Sequence, residues 1–170
     1  MKLHIGGTEH KEGWTLVNKL SSVNPDIIGD ISDLSFIEEG SVDLIYASHV
    51  LEHVPQPKMI DTLKGLYRIL KSNGGRLCLS VPDLDILCRL FVRSDIDINV
   101  RFHVMRMMYG GQINEFDYHY FGWNIEFMSY YLNSVGFKKL ERVDAFGFFQ
   151  DTSYFAPYGM KISLNISCFK

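Results

Sequence analysis

Short runs of β-branched and apolar residues alternate along the chain with segments whose apolar positions recur every three or four residues. The runs predict strands over Lys2–Gly6, Thr15–Asn18, Asp26–Gly29, Asp43–Ala47 and Arg76–Val81. Between the last two, Met59, Ile60, Leu63, Leu66, Tyr67 and Leu70 share one face of a helix predicted from Pro57 to Lys71, which Asn73-Gly74-Gly75 stops. A second helix takes Asn124 as its N-cap, turns Phe127, Met128, Tyr131, Leu132 and Val135 inward and ends at Gly136. Strands Phe137–Val143 and Lys161–Phe169 close the chain. This alternation predicts an α/β fold around a mostly parallel sheet. One connection departs from it. Residues 7–14 leave little room for the crossover helix that parallel neighbours usually need, so a tight loop or a single turn is expected there.

The chain has 170 residues, 46% of them hydrophobic, which fits one domain over residues 1–170 with a sizeable core. Its net charge is −3 and no basic run exceeds two residues, which argues against nucleic acid as a partner. Cys78, Cys88 and Cys168 are odd in number and far apart, and read as buried reduced thiols of a cytoplasmic protein. No apolar run approaches the roughly 18 residues of a membrane span, so no membrane partner is expected either. The pattern does not set the oligomeric state.

The stretch "ASHVLEHVP" (residues 47–55) contains His-x-x-Glu-His, the letters of a zinc peptidase helix. Pro55 and Pro57 disfavour helix just beyond it, and no third ligand follows at a suitable spacing, so no metal site is predicted. The motif instead follows a buried strand, at the edge where open α/β sheets bind ligands. It reads as a ligand loop.

The segment "VDLIYASHVLEHV…LKGLYRILKSNGGRLCLSVPD" resembles the central half of a class I S-adenosylmethionine-dependent methyltransferase of the small family-11 type. The earlier "KLHIGGTEHKEGW…PDIIGDISDL" is similar to that family's cofactor half, and "YYLNSVGFKKLERV" to its late helix and strand. The resemblance implies a Rossmann-like, doubly wound sheet of order 3-2-1-4-5-7-6 with an antiparallel last strand, and S-adenosyl-L-methionine as cofactor. It places Gly6, Gly7 and Thr8 in the glycine-rich motif, with His4 where an acid usually stands. Asn18 falls where a carboxylate usually holds the ribose. Asp30 and the backbone N–H of Ile31 fall at the adenine, and Ser48 and His49 beside the methionine part of the cofactor. His53 then stands near the reacting methyl, and Glu52 is expected to receive backbone N–H groups.

Aromatic residues crowd two segments, 98–123 and 146–158, which leave the fifth and sixth strands at the expected ligand edge. Asp117, His119, Gln150, Asp151 and Ser153 lie among the rings, the composition of a lid and acceptor pocket, with an insertion around 94–123 as its main part. A partly apolar, hydroxyl-bearing acceptor fits this composition: a small molecule or the polar end of a polymer, such as a sugar or metabolite. Histidine suits removal of a proton from such an acceptor, so His119 and His53 are the candidate catalytic residues. Two other readings stand beside this one. His4, Thr8 and Asn18 favour a non-catalytic interaction module on the same fold, and His49, Glu52 and His53 favour a metal-assisted enzyme.

Overall fold

A computed structural model describes residues 1–170. Seven strands form one sheet: β1 (Lys2–Ile5), β2 (Thr15–Asn18), β3 (Ile27–Ile28), β4 (Leu44–Ser48), β5 (Arg76–Pro82), β6 (Lys138–Arg142) and β7 (Ser163–Phe169). Their order is β3-β2-β1-β4-β5-β7-β6, with β7 antiparallel to both neighbours and the remaining pairs parallel. The expected architecture is therefore present, with strand ends shifted by one or two residues.

Two helices cover one face. α1 (Met59–Ile69) buries Met59, Leu63, Leu66 and Ile69, and α4 (Ile125–Val135) buries Met128 and Leu132. Asn124 caps α4 by accepting the Phe127 N–H at 2.9 Å, and Gly136 ends it at φ +114°. Phe127, expected to be buried, is 46% exposed, because α4 turns its Met128–Leu132 stripe to the sheet instead. These helices close on Leu3, Ile45, Leu77, Leu79 and Ile166 in a single aliphatic core.

The sequence pattern did not predict two further helices, α2 (Leu84–Phe91) and α3 (Ile98–Tyr109). Asp83 and Asp97 start them by accepting backbone N–H groups, and Leu87, Leu90, Val104 and Ile162 form a small separate core between them. Because α2 turns Leu87 and Leu90 inward, Cys88 faces outward. The expectation of three buried thiols therefore holds only for Cys78 and Cys168.

The sheet's other face has no helical cover from the first half of the chain. β1 and β2 are parallel neighbours, yet residues 6–14 join them without a helix. Residues 144–161 cover that face instead, packing Phe146, Phe148 and Phe149 on His4, Trp14 and Tyr46. His4 stacks on Phe149 with ring centroids 3.7 Å apart.

Candidate functional site

The carboxyl ends of β1 to β4 converge on a cavity of about 320 Å³. Ile5 and Gly6 reach it from β1, Asn18 from β2, Gly29, Asp30 and Ile31 from beyond β3, and His49 and Val50 from beyond β4. Glu115, Phe116 and Tyr120 of the 110–123 segment complete the wall.

Gly6 is required here twice over. Its φ is +77°, and a Cβ would meet the Val50 side chain at 2.2 Å. Gly7 faces away from the cavity: a Cβ on it would strike the His4 ring at 1.9 Å, so it makes room for the aromatic layer. Thr8 is exposed and Ser48 is half-buried, and neither lines the cavity. Asn18 is committed to the chain itself, donating to the Gly7 carbonyl at 2.8 Å and accepting the Leu20 N–H at 2.8 Å. It holds the glycine loop, with one lone pair of its oxygen to spare. Asp30 Oδ1 accepts the Ser32 N–H at 2.8 Å, while Oδ2 lies 3.7 Å from Lys19 Nζ. That ammonium also sits 4.2 Å above the Phe116 ring, so Lys19 links the aspartate to the far wall.

Beyond β4 the His-x-x-Glu-His residues form a bend and a 3₁₀ turn (Leu51–His53), not an α-helix. His49 has φ +54° and donates its backbone N–H to Ser80 O at 2.8 Å, a left-handed conformation that few side chains adopt. Its ring is mostly buried, and burial pulls its pKa down to about 4. Ser163 gives its hydroxyl proton to Thr152 O at 2.8 Å, so His49 Nε2, 2.9 Å from Ser163 Oγ, is the donor in that contact. His49 Nδ1 therefore presents a lone pair, 3.4 Å from Glu52 Oε1.

Glu52 is 1% exposed and its carboxylate oxygens have no hydrogen-bond partner, contrary to the backbone N–H groups expected for it. Burial pushes its pKa up to about 8. With His49 held neutral, the Glu52–His49 contact is not an ion pair. It is the backbone of Glu52 that binds instead: its carbonyl accepts from the N–H groups of Tyr120 at 2.8 Å and Phe121 at 3.3 Å.

His53 lines the cavity. Its Nδ1 lies 3.0 Å from Tyr118 O, and a carbonyl can only accept, so Nδ1 carries the proton and Nε2 is bare. His119 is not among the lining residues but meets His53 edge-on, with centroids 4.8 Å apart. Burial lowers both, His119 to about 4, with mutual repulsion adding to the effect on His119. Sequence reasoning named both histidines but not their contact. The segment 147–158, expected beside the acceptor, contributes nothing to this cavity and covers the sheet's other face. Lys19, Lys58 and Glu115 line it without having been singled out, since lone charges in loops carry no signal of their own.

Residues 10–78 match the family model described as a methyltransferase domain. The whole fold is similar to that of an S-adenosylmethionine-dependent methyltransferase from Archaeoglobus fulgidus, at 13% identity and a TM-score of 0.64 over 99% of this chain and 85% of that one. It is also similar to one from Thermotoga maritima, at 16% identity and a TM-score of 0.60 over 99% and 81%. A third is 1,6-didemethyltoxoflavin-N1-methyltransferase from Burkholderia thailandensis, determined with 1,6-didemethyltoxoflavin and S-adenosylhomocysteine bound, at 13% identity and 0.59 over 99% and 70%. No curated protein matches the sequence. Part of the chain, residues 10–78, thus matches the methyltransferase-domain family, and the whole chain shares its fold with S-adenosylmethionine-dependent methyltransferases.

Proposed function

We propose that the cavity holds S-adenosylmethionine and that the methyl goes to a small or polymer-end polar acceptor, a sugar or other metabolite, entering past Phe116 and Tyr120. One observation carries this reading: a single cavity gathers Gly6, Asn18, Asp30, Ile31 and His49 from the ends of successive strands. Its size of about 320 Å³ lies in the usual range for small-molecule sites. The bare Gly6 backbone admits the cofactor closely, Asp30 accepts from the adenine amino group, and the Ile31 N–H meets a ring nitrogen. His49 shapes the methionine end. The cofactor supplies an activated sulfonium methyl, so the protein's own task is to position the acceptor, exclude water and take a proton from a hydroxyl. His53 lines the cavity with Nε2 as its neutral lone pair, and His119 stands against its ring as the second proton acceptor.

The acceptor class rests on charge and composition. A net charge of −3 disfavours a nucleic-acid substrate, and Glu115, Phe116 and Tyr120 offer rings with polar groups between them. The bound small heterocycle in the Burkholderia thailandensis neighbour supports a small molecule.

Calorimetry with S-adenosylhomocysteine should give a 1:1 complex that Asp30→Ala weakens by about 1–3 kcal/mol, the scale of a lost hydrogen bond to a charged group. His119→Ala should abolish turnover and leave that affinity unchanged. A flat titration of the native protein would support the interaction-module reading instead.

A further inference from the structure

Two distant parts of the chain bring three metal-ligating side chains together behind the cavity wall. The ligand atoms of Glu52, His53 and His119 all lie within 4.8 Å of one another. Glu52 is almost fully buried and neither of its carboxylate oxygens has a hydrogen-bond partner. The nearest polar group gives no relief. His49 already donates through Nε2 to Ser163, so its Nδ1 can only accept and offers an ionised Glu52 no donor. An ionised Glu52 therefore lacks a positive or donating neighbour on that side.

The two imidazoles are prepared for the same partner. His53 spends its proton on Tyr118 O, which leaves Nε2 bare. The carbonyls of Met107 and Met108 lie near the His119 ring. Backbone acceptors fix the tautomers of zinc-binding histidines in this way. Two neutral imidazoles and one carboxylate form a borderline-soft donor set, which suits zinc, cobalt or iron better than magnesium or calcium.

We propose that Glu52, His53 and His119 bind one divalent first-row transition-metal ion of the zinc type. The sequence pattern pointed away from a metal because Pro55 and Pro57 break the helix and no third ligand follows at a suitable spacing on a second helix. The third ligand comes instead from the 110–123 segment. Binding requires the three donors, now within 4.8 Å of one another, to close on the ion to about 2.0–2.2 Å. The ion clamps the 3₁₀ turn after β4 to the segment that carries Phe116 and Tyr120 over the cavity, reinforcing the bonds from Tyr120 and Phe121 to Glu52 O. With the ion bound, the histidine lone pairs no longer take up a proton, so the metal and the acceptor's proton compete for one place.

The test uses the whole chain, stripped by chelation and titrated with Co²⁺. One equivalent should produce visible ligand-field bands that Zn²⁺ erases, and Zn²⁺ should slow proteolytic cleavage within residues 110–123. Glu52→Gln and His119→Ala, checked as folded by circular dichroism, should each weaken Co²⁺ binding more than about tenfold. No bands at millimolar Co²⁺, or bands unchanged in both variants, overturn the proposal, and the unpartnered carboxyl then keeps a proton instead. The outcome is separable from the methyl-transfer reading. Turnover that depends on His119 without any Co²⁺ binding overturns only the metal, while Co²⁺ binding without S-adenosylhomocysteine binding overturns only the methyl-transfer reading.

Discussion

The two faces of the sheet are covered in different ways, although the same strands serve both. On the helical face, Leu3, Ile45, Leu77 and Cys168 sit side by side in register, under α1 and α4. One residue along, the other face carries the row His4, Tyr46, Cys78 and Ser167, under the 144–161 segment. A helix satisfies its own backbone and needs from the sheet only an aliphatic surface. A loop does not, and its backbone must hang from something. Here the sheet supplies the hooks. Asn165 donates to the carbonyls of Asp144 and Ser153 at 3.0 and 2.7 Å, Ser163 to Thr152 O, and Tyr46 to Asp151 Oδ2 at 2.5 Å. Polar strand residues and large rings are thus two parts of one solution. The polar groups hold the loop, and the rings cover area that few residues must cover. The solution is incomplete, because Ser80 Oγ, Ser153 Oγ, Asn165 Oδ1 and His4 Nδ1 are buried without a protein partner.

The faces should therefore fail differently. Leu66, fully buried in α1, sits in the one large core, and Leu66→Ala should cost about 2–5 kcal/mol of global stability. Phe149→Ala should cost less, about 1–3 kcal/mol, because the covering segment can settle into the gap. Hydrogen exchange separates them further. Phe149→Ala should accelerate exchange in residues 144–161 and leave the amides of α1 and α4 nearly unchanged. Equal losses with the same exchange map would make the two faces one cooperative unit.

The helical face was the more legible of the two in the sequence, for a physical reason. Leu63, Leu66 and Leu70 repeat at helical spacing, and β4 and β5 are mostly apolar runs, so local pattern and final burial coincide. The short 7–14 connection also showed that a helix had no room there. What replaced it was hidden, because Trp14 and Phe149 meet only after the sheet has formed. The candidate site divides along the same line. Gly6, Asp30 and His49 follow strands and were found by their order, whereas the contact between His53 and His119 spans 66 positions and depends on where α3 points. Helices α2 and α3 lacked a clear signal because each buries only one or two residues.

Acid should weaken the aromatic face. Burial lowers the His4 pKa below its ordinary 6.5, outweighing the help of nearby Glu9 and Asp151. Above pH 6.5 the ring is neutral whether the chain is folded or not, and its contribution is fully present. As pH falls below 6.5, the unfolded chain binds a proton that the folded one resists, so stability is lost until the folded pKa is passed. His4→Phe keeps a ring between Tyr46 and Phe149 and removes that proton. Denaturant melts between pH 5 and 7 should therefore show a shallower acid loss in the variant. The loss should not vanish, because His49, His53 and His119 are lowered too. An unchanged slope would mean that the His4 layer has already opened before it titrates.

The gentlest comparison uses the protein's own thiols, one in each setting. Cys88 is exposed on α2, Cys78 lies beneath the aromatic segment and Cys168 beneath the helices. Burial raises the pKa of both buried thiols, Cys78 to about 11, so alkylation near pH 8 requires each to become exposed first. Cys88 should label at once, and Cys88→Ser should change stability by no more than about 0.5 kcal/mol, as surface substitutions do. With Cys88 removed, the two buried thiols report the two faces. If the loop opens as a unit of its own, Cys78 labels faster than Cys168, and the ratio of rates measures how far local opening lies below global unfolding. Phe149→Ala should widen that ratio and Leu66→Ala should narrow it, because one loosens only the loop and the other brings global unfolding closer. Equal rates for Cys78 and Cys168 in the native protein would show that the loop, despite its unpaired polar groups, opens only when the helices do.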